Sequence, residues 1–206
     1  MEKIEYQGNP GLMKKIEFIM EADKIKSILR KSRLFDDSRC ENDAEHSWTI
    51  ALMAYLFREY ANAEVDIERV MFMLLIHDIV EVDAGDTFLY AAARADAHEK
   101  ERKSAERVFG ILDSSQRDFC LAVWEEFEAR ETPEAQFASV FDRFEPLLQN
   151  YATKGHTWKQ FGITADRVLE MNRHIAAGSA EIWAFLEWLI NDSVRRGYLA
   201  PAAAQQ

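Results

Sequence analysis

His77 and Asp78 stand side by side at the end of the apolar run Met71-Phe72-Met73-Leu74-Leu75-Ile76. A run that dense belongs in an interior, where a carboxylate without a partner is costly. No Lys or Arg occurs between Met71 and Asp86, so a metal ion is the partner that satisfies both residues together. Two more candidate ligands lie elsewhere in the chain. One is His46, in Glu41-Asn42-Asp43-Ala44-Glu45-His46-Ser47-Trp48, and the other is Asp142, an acid set among Val140, Phe141 and Phe144. Two His and two Asp make a mixed nitrogen and oxygen shell that suits one divalent transition metal, Co, Mn, Zn, Fe or Ni, and leaves positions open for water. Such a centre lowers the pKa of bound water and neutralises phosphoryl oxygens, which is the chemistry of phosphate-ester hydrolysis. A simpler partner for Asp142 would be an arginine, with Arg143 the nearest.

Three further groups fit that chemistry. Glu81 comes three residues after Asp78 and shares its face if the helix continues, which places it to shuttle a proton. The alternative for Glu81 is a solvated acid at a helix end. Arg30 precedes the His46 segment and can hold two phosphate oxygens with one guanidinium. Lys154 is a possible second phosphate contact. His98, within Ala97-His98-Glu99-Lys100-Glu101, reads as solvent-facing, and His156 and His174 carry no ligand signal.

Helices must position these residues, and helical periodicity runs from end to end. Leu12, Ile16, Ile19 and Met20 recur at helical spacing, and Ile25, Ile28 and Leu29 continue the face. Residues 30–40 break the pattern and read as a loop. Asn42 and Glu45 form a capping-box pattern, so a helix starts there with His46 in its first turn and Trp48, Leu52, Tyr55 and Leu56 as its apolar face. Asp66 caps a helix from Ile67 to about Val80, Val82 to Tyr90 reads as a loop around Gly85, and Asp96 to Phe109 is helical up to Gly110. Asp113 with Gln116 caps the next helix. Thr132-Pro133-Glu134 opens the one that carries Asp142, where Pro146 predicts a kink. Thr164 and Ser179 cap two last helices, and no strand pair or hairpin is convincing. The fold class is all-α, a helical bundle.

Composition narrows the class of partner. The chain has 206 residues without a low-complexity tract, so a single domain spanning 1–206 is expected, with the metal site in about 12–150. Asp and Glu number 36 against 25 Lys and Arg, a net charge of −11 with no basic track, which argues against binding a nucleic-acid duplex. Cys40 and Cys120 lack CxxC spacing and read as free thiols of a reducing cytoplasm. The N-terminus lacks a signal-peptide layout and no apolar stretch reaches membrane-spanning length, so a cytoplasmic protein is expected. Surplus apolar surface on the first helix and on the Trp-rich last one suggests a homodimer, with 151–206 as a packing or dimer element.

His46, then His77-Asp78, then Asp142, ordered along a helical chain, resemble the H…HD…D signature of the HD-domain metal-dependent phosphohydrolases. Ala44-Glu45-His46-Ser47, His77-Asp78-Ile79-Val80-Glu81 with Gly85-Asp86, and Thr132-Pro133-Glu134-Ala135 ahead of Asp142 resemble the bacterial 5'-deoxynucleotidase branch, over roughly residues 12 to 150. The resemblance implies that His46, His77, Asp78 and Asp142 hold one divalent metal, that Glu81 works near the attacking water or leaving group, and that Asp86 lies near sugar and water. It also implies a phosphate contact in the region of Arg30 and Arg33. In that branch an Arg-Trp pair grips phosphate and base, whereas here Leu34 and Phe35 follow Arg33, so the base contact does not carry over. The implied activity is removal of the 5'-phosphate of (deoxy)nucleoside monophosphates by metal-activated water. The alternatives are a phosphodiesterase or nucleotide pyrophosphohydrolase of the same superfamily, or a non-catalytic metal- or nucleotide-binding protein.

Overall fold

A twenty-residue helix, Pro133–Ala152 (α7), forms the axis of the molecule, and twelve of its residues are buried. Burial on nearly every side is what a central helix requires, because it must meet neighbours all round. In this computed structural model, which describes residue 4, residues 6–90 and residues 97–202, those neighbours come from both halves of the chain. α2 (Asp43–Leu56), α3 (Ile67–Ile76) and α6 (Ser114–Ala129) pack on α7 from the N-terminal side of the sequence. The short α10 (Ile175–Gly178) and the long α11 (Ala180–Arg195) pack on it from the other. α1 (Pro10–Ala22) rests on α5 (Ala97–Phe109), and α8 (His156–Gln160) and α9 (Ala165–Asn172) complete the C-terminal part. Ile50, Met73, Leu74, Phe109, Trp124, Phe137, Phe141, Leu186 and Leu189 are among the side chains of one continuous core. No described helix is long and apolar enough to cross a membrane.

Capping chemistry sets the helix starts as expected. Asn42 and Glu45 close a reciprocal capping box at α2, Asp66 accepts from the backbone of Glu68 and Arg69, and Asp113 accepts from Gln116. Thr132 caps α7 with Pro133 at its first position, and Ser179 caps α11. Thr164 makes no side-chain cap at α9 and instead pairs through its backbone with Ala200. α7 runs continuously through Pro146. The expected helix start at Asp96, and residues 1–3 and 5 of the N-terminal reading, lie outside the described residues.

Three expectations are corrected. Residues 30–40 are not simply a loop: Leu29–Arg33 (β1) and Cys40–Asn42 (β2) form an antiparallel ribbon with an irregular register. Its strands carry no apolar alternation because the ribbon lies on α2, α7 and α8 rather than in a sheet, so nothing in its sequence announces it. The segment after α3 tightens into a 3₁₀ turn at His77–Val80 and then a helical turn at Glu81–Ala84 (α4), so Val82 to Ala84 are helical. Finally, the apolar face of α2 points outward. Trp48 is 64% and Leu56 60% exposed, with Leu52 and Tyr55 also exposed, while the buried face is Asp43, His46, Ser47, Ile50, Ala51, Met53 and Ala54. The helix turns its polar ligand inward because α7 supplies the carboxylates that His46 needs.

Candidate metal centre

The capping box fixes where α2 begins, and His46, four residues past the cap, projects fully buried towards the middle of α7. His77 and Asp78 occupy the 3₁₀ turn that ends α3, and Asp142 faces them from α7. His46 Nε2 lies 3.3 Å from Asp142 Oδ1 and 4.0 Å from Asp78 Oδ2. His77 Nε2 lies 3.0 Å from Asp78 Oδ1 and 3.8 Å from Asp142 Oδ1. Two ligand atoms held by one metal at bond lengths near 2.1 Å sit about 3–3.4 Å apart; one ligand atom each of His46, His77 and Asp78 lie within 4.8 Å of one another, and Asp142 Oδ1 stands 3.3 and 3.8 Å from the two imidazoles.

The ring orientations fit a cation as well. His46 Nδ1 is 2.5 Å from Glu145 Oε2 and His77 Nδ1 is 2.9 Å from the Leu74 carbonyl, so on each ring the outer N–H donates to an acceptor. That leaves both Nε2 atoms directed at the carboxylates. His77 Nε2 is buried and has no aligned hydrogen bond despite its short distance to Asp78, which is how two ligands of one ion face each other. Burial opposes the charge on His77, yet Asp78 and Asp142 outweigh it and raise the imidazole to about 10. Burial and Arg30 oppose the charge on His46, and Asp142 and Glu145 outweigh them and raise it to about 9. Asp78 stays ionised against burial because of His77 and Arg30, and Asp142 because of Arg143 and the two histidines, so both lie well below the usual carboxylate range. Since ligands bind a cation deprotonated, a metal would exchange for the imidazole protons.

Arg30, on β1, reaches across the cluster: its Nη1 donates to Asp78 at 2.7 Å and to Asp43 at 3.1 Å, and its Nη2 is 4.0 Å from Asp142. Opposite it, one oxygen each of Asp43, Glu81 and Asp86 lie within 4.8 Å of one another. Residues three apart eclipse in a 3₁₀ turn, so Asp78 and Glu81 share a face even though the α-helix has ended. Gly85, at φ 74°, then reverses the chain and returns Asp86 to the cleft, a conformation that favours glycine. Burial, then Asp78, Asp43 and Asp86, push Glu81 up to about 12, so it holds its proton beside Asp43 and Asp86. Burial and then Asp78 push Asp43 up to about 6, and burial raises Asp86.

The cleft beside the cluster has a volume of about 150 Å³, and His77, Asp78, Asp142, Arg30, Glu81 and Asp86 all line it. Arg33 and Lys154 do not. Arg33 pairs with Asp37 in the loop between the strands, and Lys154 is exposed in a left-handed turn beyond α7. His98 is exposed as expected, but it lies on the wall of the cleft.

Four residues of the site escape a reading of the sequence, Glu41, Asp43, Glu145 and Arg130, while Arg143, the arginine expected beside Asp142, has its Nε 3.5 Å from Asp142 Oδ2. Asp43 and Glu145 carried a usable signal, since each lies three positions from a ligand on the same helix, Asp43 from His46 and Glu145 from Asp142. Glu145 orients His46, and Glu41 stands behind it with one oxygen 3.7 Å from His46 Nδ1 and the other bonded to Gln149. Burial and the Glu145 charge raise Glu41 to about 7. Carboxylates that orient a ligating imidazole are worth about 10–100-fold in metal affinity. Glu145→Gln is therefore expected to weaken metal binding by about that factor, read by competition with a chromophoric chelator, and unchanged affinity would show that His46 needs no such support.

Known proteins resemble this chain along most of its length. The sequence profile of the HD domain matches residues 22–183. The Danio rerio protein named 5'-deoxynucleotidase HDDC2 is 24% identical over 184 residues, covering 79% of this chain and 90% of that protein. Its Homo sapiens namesake is 24% identical over 144 residues, 68% of each. Among solved structures, a predicted metal-dependent phosphohydrolase from Magnetospirillum magnetotacticum superposes with a TM-score of 0.90 at 52% identity, covering 93% of this chain and 97% of the other. A Pyrococcus horikoshii protein with a TM-score of 0.59 and 23% identity, over 88% of this chain and 99% of its own, shares the fold.

Proposed function

Because this chain belongs to the HD-domain family, we propose that it is a metal-dependent phosphohydrolase that removes the 5'-phosphate of nucleoside monophosphates, the deoxy forms above all. The observation that carries this is a cleft lined by His77, Asp78 and Asp142 together with Arg30, Glu81 and Asp86, with fully buried His46 placing its Nε2 3.3 Å from Asp142. A structural metal site has no need of those extra acids.

In this reading the four ligands hold one divalent transition metal, Co, Mn, Zn, Fe or Ni. When bound, the metal supplies a Lewis acid that lowers the pKa of water and neutralises phosphoryl oxygens. Arg30 gives up part of its pairing with Asp78 to grip the phosphate. Glu81 exchanges a proton with the attacking water or the leaving oxygen, and Asp86 orients sugar and water. The nucleoside extends into the adjoining cavity, which shares Arg30, Asp86 and Arg143 with the cleft and adds the rings of Phe88, Tyr90 and Trp158. Arg33 and Lys154, which do not line the cleft, are left without a role.

Phosphate release by chelator-stripped protein, reloaded separately with Co, Mn, Zn and Mg, tests this on a panel of ribo- and deoxynucleoside monophosphates. Metal-dependent release, greater for the deoxy substrates, is expected. No release from protein that binds metal would refute the monoesterase and direct attention to diesters and nucleotide pyrophosphates.

Residues 1–206 act here as one HD domain of a cytoplasmic enzyme, a compartment in keeping with its two free thiols. It works as a homodimer, with residues 151–206 as a packing or dimer element. The outward faces of α2 (Trp48, Leu52, Tyr55, Leu56) and α11 (Phe185, Trp188) support the dimer, since apolar side chains this exposed are normally covered. The double change Trp48→Glu, Leu56→Glu is expected to give a monomer in sedimentation equilibrium, and a wild-type chain that sediments as a monomer would remove the dimer from this account.

A further inference from the structure

Arg143 and Arg130 bring two guanidinium groups to the cleft, and each has a buried Nε without a hydrogen-bond partner. Arg143 follows Asp142 on α7, and its Nε lies 3.5 Å from Asp142 Oδ2 without hydrogen-bond alignment. Arg130 ends α6 in the left-handed region at φ 53°, a conformation that residues other than glycine rarely adopt. Its Nε is also buried without a partner. Asp142 and Glu128 are the nearby counter-charges.

The two arginines feel each other. Burial, and after it the charge of Arg143, lower the Arg130 guanidinium below its usual range, and Asp142 and Glu128 oppose this only in part. His174 senses the same field: burial, then Arg130 and Arg143, push its imidazole down to about 4. Its Nε2 is buried and unpartnered too. Both arginines line the cleft that holds His77, Asp78 and Asp142. Arg30, in contrast, is engaged by Asp78 and Asp43 and lies on the Oδ1 side of Asp142. Buried like charges with open donors call for an anion.

We propose that Arg130 and Arg143 form an anion subsite, beside the metal ligands, that takes the oxygens of a phosphate group. Guanidinium forks match phosphate geometry, and Arg143 lies where the cleft meets the adjoining cavity. The phosphate has two sources: the group undergoing hydrolysis, or a second phosphate on the same substrate. The subsite rests on the phosphohydrolase reading for that origin only, because the open donors stand without it.

The test is calorimetric titration of inorganic phosphate into the full-length, metal-loaded chain, with metal content and melting temperature measured on each variant. Losing two charge-assisted contacts in Arg130→Gln, Arg143→Gln is expected to weaken phosphate binding about ten- to hundredfold. The pair Arg130→Lys, Arg143→Lys keeps the charge and recovers part of the loss. Unchanged affinity in a glutamine variant that keeps its metal and its melting temperature overturns the proposal. If the double variant does not fold, Arg130→Gln alone, remote in sequence from the metal ligands, is expected to weaken binding about threefold or more, and no weakening overturns it equally. Non-hydrolysable nucleoside phosphonate and diphosphonate analogues separate the sources. Equal weakening of both identifies the scissile group, and weakening of the diphosphonate alone identifies a second phosphate. Failure to hydrolyse any monophosphate would refute the functional reading and leave the phosphate titration standing.

Discussion

Replacing His77 and Asp78 together by alanine is expected to abolish bound metal and reduce phosphate release by about a thousandfold or more, since a Lewis acid contributes several kcal/mol to the transition state. The change removes two of the four proposed ligands, whose Nε2 and Oδ1 atoms are 3.0 Å apart. Folding is expected to survive. The neighbours of the two side chains do not depend on them alone: Arg30 keeps Asp43 at 3.1 Å, and His46 keeps Glu145 at 2.5 Å. Loss of the Asp78 charge still leaves Arg30 less well compensated, so a moderate drop in melting temperature belongs to the expected result. Metal analysis and thermal unfolding with and without added metal check it. The wild type should gain stability on metal addition, because a ligand that binds only the folded state stabilises it, and the variant should gain none. A variant that keeps one metal per chain and normal turnover would mean that the chemistry takes place elsewhere.

Glu81→Gln is expected to lower kcat by about 10²–10⁴-fold while leaving metal content and folding intact. Glutamine is the informative replacement because of what Glu81 does at rest. Glu81 rests protonated and neutral beside Asp43 and Asp86, and a glutamine is neutral too and keeps a donor in the same place. Shape, burial and resting charge are conserved, and only the capacity to exchange a proton is lost. Glu81 also lies in the cleft within 4.8 Å of Asp43 and Asp86, where a leaving oxygen or attacking water would be in reach. Steady-state kinetics on metal-loaded protein gives the outcome. A fall in kcat with little change in KM assigns proton transfer to Glu81, and a rise in KM alone would make it a binding group. If turnover is unaffected, Asp86 becomes the acid to test.

The candidate ligands were legible because each breaks a local pattern. A His-Asp pair closing an apolar run, a His just inside a capping box and an Asp in the middle of an apolar helix are all costly to bury, and cost of that kind can be read along a chain. Helical periodicity and capping residues likewise placed α2, α3, α6 and α7 correctly, because caps act over three or four residues. Glu81 and Asp86 came from the ordered motif, and the structure puts both in the cleft with the ligands.

What tertiary structure alone decided are relations between distant segments. The ribbon of β1 and β2 has no strand pattern, yet it carries Arg30 onto Asp78, forty-eight positions further along. Glu145 reaches His46 across a separation of ninety-nine residues, and Arg130, the left-handed residue that ends α6, lines the same cleft as Arg143. The outward turn of Trp48 and Leu56 is of the same kind. Periodicity reveals that a helix has an apolar face, but which face meets the core depends on what the facing helix offers. Here α7 offers Asp142 and Glu145 to His46, and the need to pair buried polar groups outweighs the gain from burying that apolar stripe.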